Sequence, residues 1–386
     1  MSVAELLAGK RVCICGGSGG VGKTTTAAAI ALGMAATGAR VAVVTIDPAR
    51  RLADALGLEE LANEPSRVAP ERLSIADDGA PLAGELWAMT LDPKRTFDEL
   101  IDRLAPDAER AAAIKANRVY RELASAVSGS QEFTAVAKLY ELAREREFDL
   151  LVLDTPPSRN ASDFLDAPGR LTSFLEGRAL RAFARPAGLG IRALGLGTAP
   201  LLHLLARVTG LDLVGDLVAF FALLGEMTGE FSVRAAAVQR LLADGTTAFV
   251  LVSTAQEAAV DEAIWFRRTL AQAGLPFAGV IVNRVHHDLA PDGGAGVPDG
   301  LRGALARDLG GDLAARVEAT LHDYHRLASR DARNLERLRA ELDQPSLLLV
   351  PQLDGDVHDV HGLARVQRWL FCSDDERAAM ITALTA

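Results

Sequence analysis

The chain has 386 residues, 49% of them hydrophobic and only 5% aromatic, with a formal net charge of −10. At about 150 residues per domain the length admits two or three domains, or one large doubly wound sheet, and the acidic balance argues against nucleic acid as a partner. The three cysteines give no disulfide framework and no zinc spacing. The N-terminus lacks a basic stretch followed by a long apolar run, so the expected location is cytoplasmic.

Val12-Cys13-Ile14-Cys15 reads as a short buried strand, and Thr24 through Thr37 as a helix. Between them runs Gly16-Gly17-Ser18-Gly19-Gly20-Val21-Gly22-Lys23-Thr24-Thr25-Thr26, which fits G-x-x-x-x-G-K-[ST]. Glycines let such a loop curl so that successive backbone N–H groups face one anion, which the helix N-terminus also attracts. The expected cradle is Gly19, Gly20, Val21, Gly22, Lys23, Thr24 and Thr25 around a nucleoside triphosphate. Lys23 would reach the β- and γ-phosphates, and the Thr24 hydroxyl would ligate magnesium.

Arg40 through Ile46 is a second apolar strand, ending at Asp47-Pro48-Ala49-Arg50-Arg51. A carboxylate just past a strand end lies at the ligand edge of such a sheet. Asp47 therefore reads as a group touching the magnesium shell or orienting the attacking water, with a helix N-cap before Leu52 as the lesser, compatible reading. Residues 59–82 read as a loop with little regular structure. Leu86–Leu91 is the next strand, and from Asp92 to Glu147 apolar positions recur at helical spacing. Phe148 through Asp154 is an apolar strand closed by an acid, which would hold the magnesium hydration shell opposite Thr24.

Residues 165–242 read as helical and strongly apolar, yet His203, Arg207, Asp212 and Asp216 interrupt the runs before a membrane span of about 20 residues. The block is either a buried helical subdomain or a groove for an apolar client segment. Thr247–Val252 resumes the sheet, Ala255–Ala273 is helical, and Phe277–Asn283 is another strand with Asn283 at its end to read a base edge. Pro291–Gly296 is a loop, Leu313–Leu342 a long charged helical region, and Leu347–Val350 the last clear strand. His358-x-x-His361 reads as surface histidines rather than a metal pair.

With these pieces placed, the chain resembles the ArsA family of P-loop ATPases, which includes arsenite-efflux ATPases and the guided-entry ATPases that chaperone tail-anchored membrane proteins. The markers are Gly19–Thr25, Asp47-Pro48-Ala49, Asp154-Thr155-x-Pro157, Thr247-x-Phe249-Val250, Val282-Asn283 and Pro351. The resemblance implies an α/β fold, a doubly wound, mainly parallel sheet forming one P-loop domain over 1–386. Helical segments 92–147 and 165–242 would be inserted in it as an all-helical subdomain. It implies ATP and Mg2+ as cofactors, Asp47 and Lys23 in catalysis, and Thr24, Asp47 and Asp154 at the metal. Asn283 and the loop around Pro351 would hold adenine. It also implies a nucleotide-bridged dimer whose hydrolysis moves a client-binding helical subdomain.

Several positions depart from the family pattern. The loop lysine that reaches the partner's phosphates is replaced by Ser18, D-P-A-H by Asp47-Pro48-Ala49-Arg50, and T-G-H by Ser158-Arg159-Asn160. These changes are similar to the paired ArsA-like ATPases of bacteria, in which a lysine-bearing and a lysine-lacking subunit work together. The partners implied are a second copy of the chain or a lysine-bearing ArsA-like paralogue, and an apolar protein client, with peripheral membrane contact left open. The alternatives are an arsenite or anion-efflux pump ATPase, which the missing thiol cluster disfavours, and a low-turnover regulatory subunit.

Overall fold

The computed structural model describes residues 1–47, 49–73, 82–118, 120–121, 130–155, 213–288, 299–343 and 346–385. The strands are β1 (Val12–Gly16), β2 (Arg40–Thr45), β3 (Ser66–Arg67), β4 (Glu85–Thr90), β5 (Leu150–Asp154), β6 (Thr247–Thr254), β7 (Phe277–Val285) and β8 (Leu347–Pro351). They form one sheet in the order β3-β4-β2-β5-β1-β6-β7-β8. Every pairing is parallel except β3 with β4.

Strand composition explains the layering. In β1, Cys13 and Cys15 point into one apolar cluster with the helix Lys23–Ala36, while Val12 and Ile14 point into the cluster on the other face. Val41 and Val43 of β2 divide from Ala42 and Val44 in the same way. Both faces are buried because parallel crossovers lay helices over each of them. Close packing on the first face requires Gly33, since a Cβ there would lie 2.1 Å from the Phe371 ring of the helix Val360–Phe371. The chain fills the sheet on one side of β1 and then crosses to β6 on the other, so the loops after β1 and β6 diverge. A crevice opens at that switch point, where open α/β sheets bind ligands.

The expected loop 59–82 contains the short β3 and a 3-10 turn at Pro70–Arg72. β3 pairs antiparallel along the outer edge of β4, and two residues carry too little pattern to announce a strand. β7 runs on through Val285, so Asn283 lies inside the strand rather than at its end. The helices Val360–Phe371 and Asp374–Thr385 were not read from the sequence.

Between β4 and β5 stand the helices Pro93–Leu104, Ala108–Ala116 and Ser130–Glu145, and before β6 the helix Leu213–Ala243. Phe220, Met227 and Phe231 of the last are buried. Its Arg234 pairs with Glu141, which also takes Arg103 at 2.7 Å and so ties three helices together. The three apolar side chains Phe220, Met227 and Phe231 of the block are therefore packed; residues 165–212 lie outside the described residues. No helix among the described residues is long and apolar enough to cross a membrane.

Candidate functional site

β1 delivers the chain at Gly16 into a loop that closes onto the helix Lys23–Ala36. Gly17 has φ +148° and Gly22 has φ +94°, and a Cβ would lie 2.0 Å from the Val252 carbonyl at the first and 2.4 Å from Asn283 Nδ2 at the second. Only glycine fits either place. Gly22 is the N-cap of the helix and supplies no side-chain bond to it, so the first-turn N–H groups lack a side-chain cap and stay available to an anion. Lys23 folds back over the loop, its Nζ donating to Gly17 O at 2.8 Å and Ser18 O at 2.7 Å. Burial holds its pKa below the usual lysine value, as expected of an ammonium taken out of water.

Strand register then assembles a carboxylate beneath Lys23. β5 lies between β1 and β2, which sets Asp154 beside Cys15 and beside Thr45. Asp154 Oδ2 accepts from Thr24 Oγ1 at 2.7 Å and from Thr45 Oγ1 at 2.9 Å. Its Oδ1 is buried with no hydrogen-bond partner. An orphaned carboxylate oxygen next to a threonine hydroxyl suits a hydrated magnesium ion, a hard cation that takes oxygen donors and keeps several waters. The residues therefore fit the metal that the loop motif implies.

Burial pushes the Asp154 carboxyl up to about 6, against the two hydroxyl bonds and the Lys23 charge, which favour ionisation. In an unfolded chain the same group titrates near pH ~4. Above pH 6 the ionised form therefore costs the folded state stability, and the cost is relieved as pH falls through 6 and the folded protein takes up the proton. Asp154→Asn is expected to raise the Tm of the ligand-free protein at pH 7.5 by about 2–4 °C. The gain should close toward pH 5, and thermal unfolding at both pH values checks it.

A cavity of about 400 Å³ opens over this floor, bringing Lys23, Thr24 and Thr25 together with Asp47, Thr155 and His358. Asp47 is not the N-cap of the helix Arg51–Ala55; that position belongs to Arg50, in a left-handed conformation. The Asp47 backbone N–H donates to Thr45 Oγ1 at 3.2 Å, while its Oδ1 accepts from Ala49 N at 2.9 Å and its Oδ2 lies 3.6 Å from Arg51 Nη1. Pro48, and Ser158 to Asn160 after β5, lie outside the described residues. His358 was read as a surface residue and is exposed, yet it lines this cavity.

On the other flank of the loop is a second cavity of about 560 Å³, lined by Ser18 with Glu262, Arg284, His286 and Gln352 among others. The Glu262 carboxyl, which shares this cavity with Ser18, is shifted above its ordinary pKa by burial. Nothing in the sequence marks Glu262, which stands mid-helix in Glu257–Gln272. Arg284 lines both cavities. Asn283 is buried and its Nδ2 donates to Val21 O at 3.0 Å, so its amide faces the phosphate loop. Pro351 closes β8, and residues that follow it, Gln352, Val357 and His358, line the two cavities.

Among the described residues no group of three or more His, Cys, Asp or Glu side chains is placed to hold a metal. Cys13, Cys15 and Cys372 are free and buried, so they form no exposed thiol site.

A family model described as anion-transporting ATPase matches residues 10–293. The ATPase GET3 of Malassezia globosa is 31% identical over 161 residues, 42% of this chain and 43% of that protein. The ATPase get3 of Schizosaccharomyces pombe is 26% identical over 223 residues, 56% of this chain and 58% of that protein. A putative arsenical pump-driving ATPase of Halobacterium salinarum is 32% identical over 175 residues, 45% of this chain and 26% of that protein. The chain thus spans about half the length of the fungal relatives and less of the archaeal one.

Proposed function

Because the chain belongs to the anion-transporting (ArsA) ATPase family, we propose that it is a magnesium-dependent ATP hydrolase working as a nucleotide-bridged dimer. Hydrolysis would drive movement of a client-binding helical subdomain that handles apolar protein segments. The observation that carries the reading is Asp154, whose Oδ2 joins Thr24 to Thr45 while its Oδ1 stays unpartnered below Lys23. Magnesium held by Thr24 and Asp154 would supply positive charge against the charge that develops on the phosphates. Lys23 and the loop N–H groups hold the phosphates, and Thr24 and Asp154 hold the metal's oxygen shell. Asp47, in the same cavity, fixes the attacking water by accepting its hydrogen bond.

Client handling is supported by the resemblance to the guided-entry ATPases and by the apolar composition of residues 165–242. The single domain with helical segments 92–147 and 165–242 inserted is part of this reading. So are adenine contacts from the residues after Val350, and a cytoplasmic location.

A second reading, a subunit with low turnover of its own, is favoured by Ser18. Its hydroxyl brings no charge to a facing site. A charge supplied in trans contributes about 10³-fold or more in phosphoryl transfer where an arginine finger does it. The chain alone is therefore expected to hydrolyse ATP slowly and to be stimulated by a lysine-bearing paralogue. ATPase rates of the chain, of the mixture and of Ser18→Lys alone check this. Fast hydrolysis by the chain alone, abolished by Arg50→Ala, would overturn the mixed-dimer requirement and give the charge to the segment after β2.

A further inference from the structure

The helix Ser130–Glu145 has two faces of different chemistry. Ala135, Val136, Leu139 and Leu142 enter the apolar cluster on one face of the sheet. Lys138 and Glu141, three residues apart and so on one side of the helix, turn instead to the helix Pro93–Leu104. That helix meets them with Glu99 and Arg103, four residues apart in a charged row begun by Arg95. Lys138 Nζ lies 3.3 Å from Glu99 Oε2, and Arg103 Nη1 lies 2.7 Å from Glu141 Oε2. Arg234 joins the row from the helix Leu213–Ala243 by pairing with Glu141. The side chains of Lys138, Glu141 and Arg234 are only 9%, 11% and 14% exposed, so this seam is charged yet poorly hydrated.

Beyond the seam lies a separate set of apolar side chains. Leu100, Ile114, Tyr120, Phe220, Met227 and Phe231 are buried, yet none belongs to the clusters that cover the two faces of the sheet. Along Leu213–Ala243 the change-over falls at Arg234, since Val238 and Leu242 after it do join the sheet cluster. Among the described residues, Pro93–Leu104 and Ala108–Ala116 pack chiefly on each other and on the helices Ser130–Glu145 and Leu213–Ala243. One end of Pro93–Leu104 is anchored to the sheet by Asn63. The Asn63 segment is held at the end of β4, where Thr90 N donates to Ala62 O at 3.0 Å. Asn63 Oδ1 accepts from Asp92 N at 2.8 Å and from Thr96 Oγ1 at 3.2 Å, and its Nδ2 donates to Glu99 Oε1 at 3.2 Å.

We propose that Pro93–Leu104, Ala108–Ala116 and the part of Leu213–Ala243 up to Phe231 form one body, hinged on Asn63 and latched to the sheet domain by Glu141. Charge fixes the register of the seam. A slip of one helical turn would set Glu99 against Glu141 or Arg103 against Lys138, and facing like charges are costly. The body is therefore held closed in one position, and freeing it means breaking ion pairs while the apolar core of the sheet stays intact. The proposal rests on the reading of a moving helical subdomain and gives that movement a hinge, a latch and a boundary.

Amide hydrogen exchange of the full chain, run without nucleotide or client, reads the seam whether or not the chain hydrolyses ATP, and a separate ATPase assay tests that reading. In the wild type, peptides from 93–104, 108–116 and 213–231 should exchange at one common rate, faster than β1, β5, β6 and 130–145. Glu141→Gln leaves Arg103, Arg234 and Lys138 without their shared carboxylate. It should speed the common rate about 100-fold with the strands unchanged, and Glu141→Asp should recover part of the loss. Three unrelated rates in the wild type would overturn the single body. Equal acceleration of the strands, acceleration confined to 130–145, or unchanged exchange in Glu141→Gln would each overturn the latch. Thermal unfolding shows whether Glu141→Gln is folded. If it is not, Arg103→Ala removes a half-exposed partner, should speed the same three segments about threefold, and carries the test.

Discussion

Lys23→Ala is expected to weaken Mg-ATP binding by about 10³-fold, the largest single effect foreseen for this protein, on the basis of two charge-assisted bonds to phosphate oxygens. The ammonium donates to Gly17 O and Ser18 O at 2.8 and 2.7 Å. On binding it exchanges neutral carbonyls for charged oxygens, and charged acceptors make the stronger bonds. Burial already disfavours its charge, so the incoming phosphates relieve a desolvation cost as well. Alanine removes the cation that the phosphate oxygens would meet. Lys23→Met keeps most of the volume and should lose nearly as much affinity, which separates charge from packing. Calorimetric titration with Mg-ATP measures both, and unchanged affinity in either variant would remove the loop from the nucleotide site.

The second large effect falls on turnover rather than binding. Asp47→Asn is expected to lower kcat by about 100-fold with little change in KM, because orienting a water contributes mainly in the transition state. The local geometry makes this substitution clean. An asparagine oxygen can still accept from Ala49 N, now 2.9 Å from Asp47 Oδ1, and the backbone N–H bond to Thr45 is untouched. What is lost is the negative charge and its exposed pairing with Arg51, 3.6 Å away, a surface contact of about 1 kcal/mol or less. Steady-state kinetics at saturating magnesium read the result. An unchanged kcat would reduce Asp47 to a brace of the turn after β2.

The strand, glycine loop and helix from Val12 to Ala36 were legible because each imposes a local demand: an unbroken apolar run on the strand, left-handed or crowded backbone at Gly17 and Gly22, and small residues through the helix. The apolar runs of β2 and β5 to β8 were legible for the same reason, since a strand covered by helices on both faces must be apolar almost throughout. The Lys23, Thr24 and Asp154 set was legible because these residues have to stand at strand ends and at one helix start.

Partner choice was not legible, because it depends on which strands become neighbours. Only the order β2-β5-β1 brings Thr45 and Thr24 to the same oxygen of Asp154. Only the placement of β7 beyond β6 sends the Asn283 amide to Val21. Glu262 shares a cavity with Ser18 because the helix after β6 comes beside the loop after β1, and no spacing along the chain encodes the approach of residues so far apart in it. The sequence by itself determined the elements and the chemical groups at their ends, because backbone conformation and burial act on neighbours along the chain. Which groups share a proton, a metal or a hydrogen bond was decided by the tertiary structure, because those interactions act across strands that meet only in the folded sheet.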